Sequence, residues 1–387
     1  MTWLVTLALV YLLLAGVGVV GEGLKWISGG AEGAARIFSF ARSPVVGVLL
    51  GTLATALVQS SSTVTSVIVG LVAGGLPVAI AVPMIMGANL GTTITNTIVS
   101  LGNFGERARF RRSFQAATVH DFFNLYGIVL LLPVEIAFRP LERLGGVMAG
   151  WFVGGTVVSV QDLNFVGWAT RLGARGIVAP LRTLPDVVGA VATITLGVAL
   201  IIGSVLYLGK VLRAVLTGRA RTLVRDAVGG GPAIGVATGT AATMLVQSSS
   251  TTTSLVVPLA GEGLLGIREV YPFTLGANIG TCVTALLAVT AISGGSQVLA
   301  LQIALVHLLF NVFGVLVFLL VPWIKELPVR SAVWLGRRCE QNRAWALVYL
   351  AGVFFVIPGL VFAAEIAFWD GGGAVSTPPV ERVASSP

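Results

Sequence analysis

The chain has 387 residues, of which 56% are hydrophobic and 10% are charged, and its formal net charge is +8. This composition leaves too little polar surface to cover a water-soluble globule of that length, so it excludes an ordinary soluble enzyme or binding domain. The basic residues concentrate in three short stretches, 105–112, 209–225 and 325–343, between apolar segments. That pattern favours cytoplasmic loops of a membrane protein over a nucleic-acid-binding surface.

Five stretches have about the 20 apolar residues that a helix needs to cross a bilayer. The first is predicted to be a retained helix and not a secretion signal, because no Lys or Arg precedes it and Gly21-Glu22-Gly23 is a poor cleavage site. Cys282 and Cys339 indicate neither a disulfide framework nor a metal cluster. The five predicted spans are Trp3–Val20, Phe114–Phe138, Val187–Leu208, Leu299–Val321 and Ala344–Phe368.

Between the first two spans, Pro44–Gly74 is apolar except for hydroxyls and the amide of Gln59 at its middle. A re-entrant hairpin fits this pattern better than one long helix, because the polar tip then lies at mid-membrane where two half-helices meet. A span interrupted by Gly and Thr follows, with GANLGT at Gly87–Thr92.

The second half of the chain repeats the first. Gly51–Ser66 and Gly239–Ser254 share 13 of 16 residues, and GANLGT is answered by GANIGT at Gly276–Thr281. A third block, ATVHDFFN, is answered by ALVHLLFN. Each unit has an odd number of crossings. The sequence therefore predicts an all-α integral membrane protein of two inverted-topology repeats, each with a re-entrant helical hairpin and a broken transmembrane helix.

The last predicted span, Ala344–Phe368, has only a short Gly-rich counterpart near 145–160, so the membrane side of the C-terminus stays open. The segment between the two repeats is long and weakly charged, which suits the outside of the cell. The predicted units are 1–150, the first transport repeat; 151–185, an external connector; 186–369, the second transport repeat; and 370–387, a disordered tail.

The repeated tips have the chemistry of an anion site. Hydroxyl and amide donors at a helix break, together with the free backbone N–H groups of a half-helix, hold an anion without a buried Arg or Lys. Unwound carbonyls at the same place suit sodium. An isolated run of serines is usually a packing feature, but its recurrence with GAN(L/I)GT favours ligand binding. The predicted substrate-binding residues are Gln59, Ser60, Ser61, Ser62, Asn89, Thr92, Gln247, Ser248, Ser249, Ser250 and Asn278.

Asp121 is the one acid well inside a strongly apolar segment. A carboxylate at such depth marks an ion or proton path, and the alternative is an interfacial residue near a helix start. Its counterpart is Leu308, so the copies are not equivalent.

His120 and His307 are interpreted as satisfied packing residues rather than proton carriers. No nucleophile, phosphate-loop or zinc motif is present, so an enzyme is not predicted.

Together these motifs closely resemble the type II sodium-dependent phosphate cotransporters. The resemblance implies import of inorganic phosphate by alternating access, driven by sodium as coupling ion with no other cofactor, and with phosphate held between the two QSSS tips. It also implies sodium ligands at Asn103, Glu106, Asn124, Thr281 and Thr284, and an additional sodium at Asp121. The partners expected are phosphate, sodium and the lipid bilayer.

Several residues differ from those of the animal members, and the differences bear on sodium affinity and stoichiometry more than on the substrate. Asn103 and Glu106 stand where those members have Gln and Asp, Ala277 replaces a Ser, and Cys282 interrupts a run of threonines. The large external loop of animal members is missing, which is typical of a bacterial member in the cell (inner) membrane. Two other functions stay open: a transporter of another oxyanion or small carboxylate, and a non-transporting binding or channel-like protein.

Overall fold

The protein is helical throughout the part that the computed structural model describes, residues 2–38, 41, 43–154, 164–227, 231–292 and 294–371. A 3-10 turn at Ala179–Thr183 precedes α10, and a π-helical turn at Gly352–Val356 joins α16 to α17. The helices are α1 (Thr2–Ser28), α2 (Ala31–Ile37), α3 (Pro44–Val58), α4 (Ser61–Ala73), α5 (Val78–Gly91), α6 (Ile94–Leu101), α7 (Arg107–Phe138), α8 (Pro140–Gly154), α9 (Asn164–Val178), α10 (Asp186–Ala227), α11 (Pro232–Val246), α12 (Ser249–Gly261), α13 (Ile267–Val289), α14 (Ser296–Leu320), α15 (Pro322–Gln341), α16 (Ala344–Ala351) and α17 (Ile357–Gly371).

Seven helical segments in the described residues are long and apolar enough to cross a membrane. Five of them correspond to the five clearest predicted spans. The other two, Val78–Leu101 and Ile267–Val289, are the spans that carry the GAN motifs. Their mean hydropathy is only 1.5, against 2.5 for the first span, because Gly, Thr and Asn replace aliphatic residues. The prediction of an all-α, multi-pass membrane protein is confirmed.

Each QSSS element lies at a break between two short helices, as predicted. The chain leaves α3 at Val58 and enters α4 at Ser61, and it leaves α11 at Val246 and enters α12 at Ser249. Successive residues of α3 meet successive residues of α5, so these two helices run parallel, and α4, which joins the end of α3 to the start of α5, runs in the opposite direction. The same holds for α11, α12 and α13.

Glycines let these parallel helices approach until their backbones touch. A Cβ added at Gly87 of α5 would lie 1.9 Å from the carbonyl oxygen of Val48 on α3. A Cβ added at Gly276 of α13 would lie 2.0 Å from the carbonyl oxygen of Val236 on α11. The equivalent contact in both copies shows that they are built alike, and close approach of this kind is typical of membrane helix pairs.

Gly87→Ala is expected to lower the thermal unfolding midpoint in detergent by several degrees, because the backbone of α3 must move to admit the methyl group. Gly150→Ala in α8 is the matched control, since nothing lies within 4 Å of a Cβ there and Ala has the better helix propensity. A Gly87→Ala protein as stable as Gly150→Ala would contradict the close contact.

The predicted broken helix occurs in the first copy only. There α5 ends at Gly91 and α6 begins at Ile94, whereas α13 is continuous from Ile267 to Val289. At the break the backbone N–H and the hydroxyl of Thr93 both bond the carbonyl of Leu90, three residues back. In α13 the position of Thr93 is taken by Cys282. Its thiol is a weak donor and bonds the carbonyl of Asn278, four residues back. This bond follows the α-helical pattern and does not draw the backbone out of it.

The two copies pack on each other reciprocally. Helix α4 contacts α13 and α14 of the second copy, and the equivalent α12 contacts α6 and α7 of the first. Helix α8 packs on α14, just as α15 packs on α7. The counterpart of α8 is therefore α15 and not the last span, which corrects the correspondence predicted for 145–160. Helices α16 and α17 have no equivalent among the described residues of the first copy.

The basic stretches, the connector and the C-terminal tail differ from the prediction or lie partly outside the described residues. The basic stretches 209–225 and 325–343 lie in helices α10 and α15, and 105–112 runs into the start of α7, so they are largely helical rather than loops. The connector contains α9, which packs on α1. Of the predicted disordered tail, residues 370 and 371 are helical, at the end of α17, and the rest lies outside the described residues.

Candidate functional site: two serine tips and a buried polar network

The two tips have the same backbone geometry. Gln59 and Gln247 end their helices in the left-handed region, with φ of 56° and 55°, a conformation that a non-glycine residue adopts only where its surroundings impose it. The next residue, Ser60 or Ser248, caps the following helix, because its hydroxyl oxygen accepts from the backbone N–H three residues on at 3.2 Å in both copies. One serine of each tip therefore holds the turn itself.

The next two serines of each tip are buried and do not cap the turn. Ser61, Ser62, Ser249 and Ser250 are between 3% and 7% exposed. None of their hydroxyls forms a hydrogen bond within the described structure. The four hydroxyl oxygens are not fully enclosed, so each keeps a little accessible surface. As the first residues of α4 and α12 they also present backbone N–H groups with no partner inside the helix. Each tip thus offers several donors and no cation to a small anion.

Each serine helix meets the other copy through polar contacts. The amide of Asn96 on α6 donates to the hydroxyl of Thr253 on α12 at 2.8 Å, and that hydroxyl lies 3.0 Å from the Asn96 amide oxygen. Both residues are buried. The second tip is thereby joined to the first copy, just as α4 packs on α13 and α14.

A buried network of asparagines and histidines joins the two copies. The amide of Asn278 donates to the side-chain oxygen of Asn124 at 2.7 Å, and Asn124 donates to the carbonyl of Asn89 at 3.2 Å. At either end a histidine Nε2 contacts the motif asparagine of the opposite copy, His120 to Asn278 at 2.7 Å and His307 to Asn89 at 3.4 Å. Both asparagines of the GAN motifs, predicted to bind substrate, therefore take part in this network.

The histidines only partly fit the prediction of satisfied packing residues. Each is fully buried and each has one ring nitrogen in the network, but the Nδ1 atoms of His120 and His307 have no partner in the described structure. Asn311, the counterpart of Asn124, instead donates to the carbonyl of His307 in its own helix at 2.9 Å. The centre is therefore asymmetric, with Asn124 as the only one of the two that bridges both motif asparagines.

Asp121 lies inside the bundle, about four turns from the start of α7, and it is 1% exposed. Asp121 is therefore enclosed by the helices and does not lie in the first turn of α7. One carboxylate oxygen, Oδ2, accepts from the hydroxyl of Thr97 at 3.1 Å and from that of Tyr349 at 3.0 Å. The other oxygen, Oδ1, is enclosed and has no partner in the described structure. A buried carboxylate oxygen without a hydrogen-bond partner is able to accept a cation or a proton.

The glutamines of the two tips differ. The side-chain oxygen of Gln247 accepts from the hydroxyl of Thr284 at 2.8 Å, which ties the second tip to α13. The equivalent hydroxyl in the first copy, that of Thr95, is enclosed without a partner, and Gln59 is exposed. The hydrogen bond between the tip glutamine and this threonine is therefore formed in the second copy, and the described structure does not show it in the first.

The remaining predicted residues divide between the centre and the surface. Thr92 and Thr281 are buried and bond the carbonyls of Ala88 and Ala277 in their own helices. Asn103 is partly buried and donates to Ser113 at 2.7 Å.

Glu106 is not part of the buried centre. Its side chain is 70% exposed at the start of α7 and forms an ion pair with Arg109 at 3.1 Å. The structure does not bring Glu106 together with Asp121 or Asn124.

Sequence reasoning missed Thr97, Thr253 and Tyr349. Thr97 lies in the run of threonines after GANLGT, which could have indicated it, and Thr253 lies in the QSSSTTTS block. Tyr349 lies in α16, which has no equivalent among the described residues of the first copy, so no repeated pattern marks it. The two cysteines are free and buried, and burial raises the pKa of the Cys339 thiol to about 12, which makes it unreactive.

The seven candidate spans, together with the buried polar residues that they carry, define the class of protein: a multi-pass membrane protein. The sequence profile of the Na+/Pi-cotransporter family matches residues 12–154 and 200–332, which is more than half of the chain. The chain therefore belongs to the Na+/Pi-cotransporter family, and it is a transporter and not an enzyme.

Several animal proteins are similar over nearly the whole chain. Sodium-dependent phosphate transport protein 2A of Rattus norvegicus is 33% identical over 443 aligned positions, which cover 96% of this chain and 69% of the relative. Sodium-dependent phosphate transport protein 2B of Homo sapiens is 31% identical over 453 positions, covering 94% of this chain and 65% of the relative. No solved structure matches the chain.

Proposed function

We propose that the chain is a sodium-coupled symporter that imports inorganic phosphate across the cell (inner) membrane by alternating access. Its relatives are named for sodium-dependent phosphate transport. The observation that carries the mechanism is the pair of tips whose serine hydroxyls are buried but unbonded, on helices that each pack against the opposite copy. One phosphate between the tips uses both sets of donors.

The tips suit phosphate because they supply donors without a fixed positive charge. A dianion takes hydroxyl and backbone N–H donors at two helix starts, and sodium supplies the balancing charge. Ser61 and Ser62 face Ser249 and Ser250 in this proposal, with Asn89, Thr92 and Asn278 behind them. Binding of phosphate then becomes favourable only when the cations are in place, which is the coupling free energy of a symporter.

Sodium binds unequally in the two halves. Asp121, with its unpaired oxygen, and Asn124 serve the first half, and Thr281 and Thr284 serve the second. Thr284 is held by Gln247 in the present conformation, so sodium at that site competes with the Gln247 contact. Asn103 and Glu106 form a further sodium site only if the start of α7 moves, because Glu106 is exposed and forms an ion pair with Arg109 in the present conformation.

The two repeats, 1–150 and 186–369, are inverted relative to each other in this proposal, and α3–α4 and α11–α12 enter the membrane as re-entrant hairpins. Reciprocal packing of equivalent helices supports a two-fold relation between the copies. The segment 151–185 connects them outside the cell in this proposal.

Uptake of radiolabelled phosphate into proteoliposomes tests the proposal. We expect accumulation against a concentration gradient when sodium is higher outside, and none when potassium replaces sodium on both sides or when the sodium gradient is collapsed by an ionophore. Uptake that ignores the sodium gradient would rule out the coupling. Competition by excess sulfate or succinate as strong as by unlabelled phosphate would favour a transporter of another oxyanion or a carboxylate.

A further inference from the structure

A helix near the C-terminal end of the described chain, α16, reaches the buried acid Asp121. Helix α16 lies beyond residue 332, where the match to the family profile ends, and it has no counterpart in the described part of the first copy. Its Tyr349 donates a hydrogen bond to Oδ2 of Asp121 at 3.0 Å. Thr97 donates to the same oxygen at 3.1 Å, while Oδ1 has no partner in the described structure.

The position of the Tyr349 hydroxyl is set by its ring. The ring centroid lies 6.2 Å from that of Phe114 and 5.9 Å from that of Phe122, and both phenylalanines are on α7, the helix that carries Asp121. Two aromatic contacts on the same helix leave the ring little freedom. The hydroxyl is therefore directed at the carboxylate by packing and not only by the hydrogen bond.

The same C-terminal segment also lies on the first hairpin. The π-helical turn at Gly352–Val356 follows α16 directly, and turns of this kind occur often at functional positions. Within it Phe354 is fully buried and packs with Ala56 of α3 and Ile94 of α6. Further on, Glu365 accepts a hydrogen bond at 2.7 Å from Ser43, next to the first residue of α3. One segment thus contacts both the acid and the helix that leads to the first tip.

We propose that Tyr349 is a positioning residue for Asp121: it fixes one carboxylate oxygen so that the other is presented to the coupling sodium. This inference rests on the proposed function, in which Asp121 binds sodium. Donors that bond to a metal-binding side chain orient it, and their loss commonly lowers metal affinity about 10–100-fold. Because the same segment holds α3, loosening of the C-terminal helix weakens the sodium site and releases the first tip together.

Tyr349→Phe tests the role of the hydroxyl, because it keeps the ring and its aromatic contacts. We expect the sodium concentration for half-maximal phosphate uptake to rise about tenfold, with the maximal rate at saturating sodium within about twofold of the wild type. A merely structural defect lowers the maximal rate without moving the sodium dependence. In an Asp121→Asn background the same change is expected to have no further effect on sodium dependence.

Tyr126→Phe is the matched control. Tyr126 is on α7 like Asp121, its ring lies 6.0 Å from that of Phe122, and its hydroxyl contacts Ser331 at 2.7 Å. Loss of this hydroxyl removes one partly buried hydrogen bond without touching the acid, so sodium dependence should not change.

Binding alone decides the matter if Tyr349→Phe does not transport. In detergent, sodium raises the thermal unfolding midpoint of a protein that binds it, and the midpoint of that titration is expected to rise about tenfold in Tyr349→Phe and to move in the same direction in Thr97→Val. Unchanged sodium dependence in Tyr349→Phe, with sodium-driven uptake intact in the wild type, would overturn this inference alone. A wild type without sodium-driven uptake would overturn the proposed function.

Discussion

Asn278→Leu is expected to lower the free energy of unfolding by roughly 2–6 kcal/mol, because it leaves His120 Nε2 and the Asn124 side-chain oxygen buried without partners, at about 1–3 kcal/mol each. The two contacts that it removes are both 2.7 Å long and both join the two copies. Sodium-driven phosphate uptake is expected to be lost. Thermal unfolding in detergent measures the first effect and proteoliposome uptake the second.

The repeat supplies the matched control, Asn89→Leu. The amide nitrogen of Asn89 bonds the carbonyl of Ile85 in its own helix, and its oxygen is 3.4 Å from His307 Nε2, so less is lost. The destabilisation should be clearly smaller than for Asn278→Leu. Equal destabilisation by both substitutions would show that the asymmetry of the centre has no energetic importance.

Ser62→Ala and Ser250→Ala are each expected to raise the phosphate concentration for half-maximal uptake roughly 10–100-fold, because a lost donor to a buried anion costs about 1.5–3 kcal/mol. The unfolding midpoint should barely change, since neither hydroxyl has a partner in the described structure. The measurement is phosphate dependence of uptake at saturating sodium.

Ser60→Ala and Ser248→Ala separate ligand binding from folding of the tip. These hydroxyl oxygens already accept from the N–H groups of Thr63 and Thr251, so their loss should lower stability by about 1 kcal/mol and affect phosphate affinity less. If the capping serines affect phosphate affinity as strongly as Ser62 and Ser250, the division of roles within the tips is wrong.

Much of the fold is local in origin and was therefore predictable. The break at Gln59 follows from a polar cluster within an apolar stretch, and its recurrence at Gln247 follows from the repeat. The continuity of α13 was not predictable in the same way. It accompanies Cys282 in place of Thr93, and the difference is seen in which carbonyl each side chain bonds, four residues back for Cys282 and three for Thr93.

The centre of the site was predictable in its parts but not in its connections. The motif asparagines and the histidines were visible as repeated residues, yet the pairing of His120 with Asn278 spans 158 positions and crosses from one copy to the other. Periodicity within a helix carries no information about such a partner. Tyr349 is the extreme case, because its helix has no repeated counterpart and only the packing of α16 on α7 brings it to Asp121.

In the proposed function the two tips form one phosphate site and not two. Equilibrium binding of radiolabelled phosphate to the purified protein in saturating sodium tests it most directly. We expect one phosphate per chain, and in Ser62→Ala or Ser250→Ala the same stoichiometry with weaker affinity. Two phosphates per chain, or the loss of half of the sites with normal affinity at the rest, would contradict a shared site.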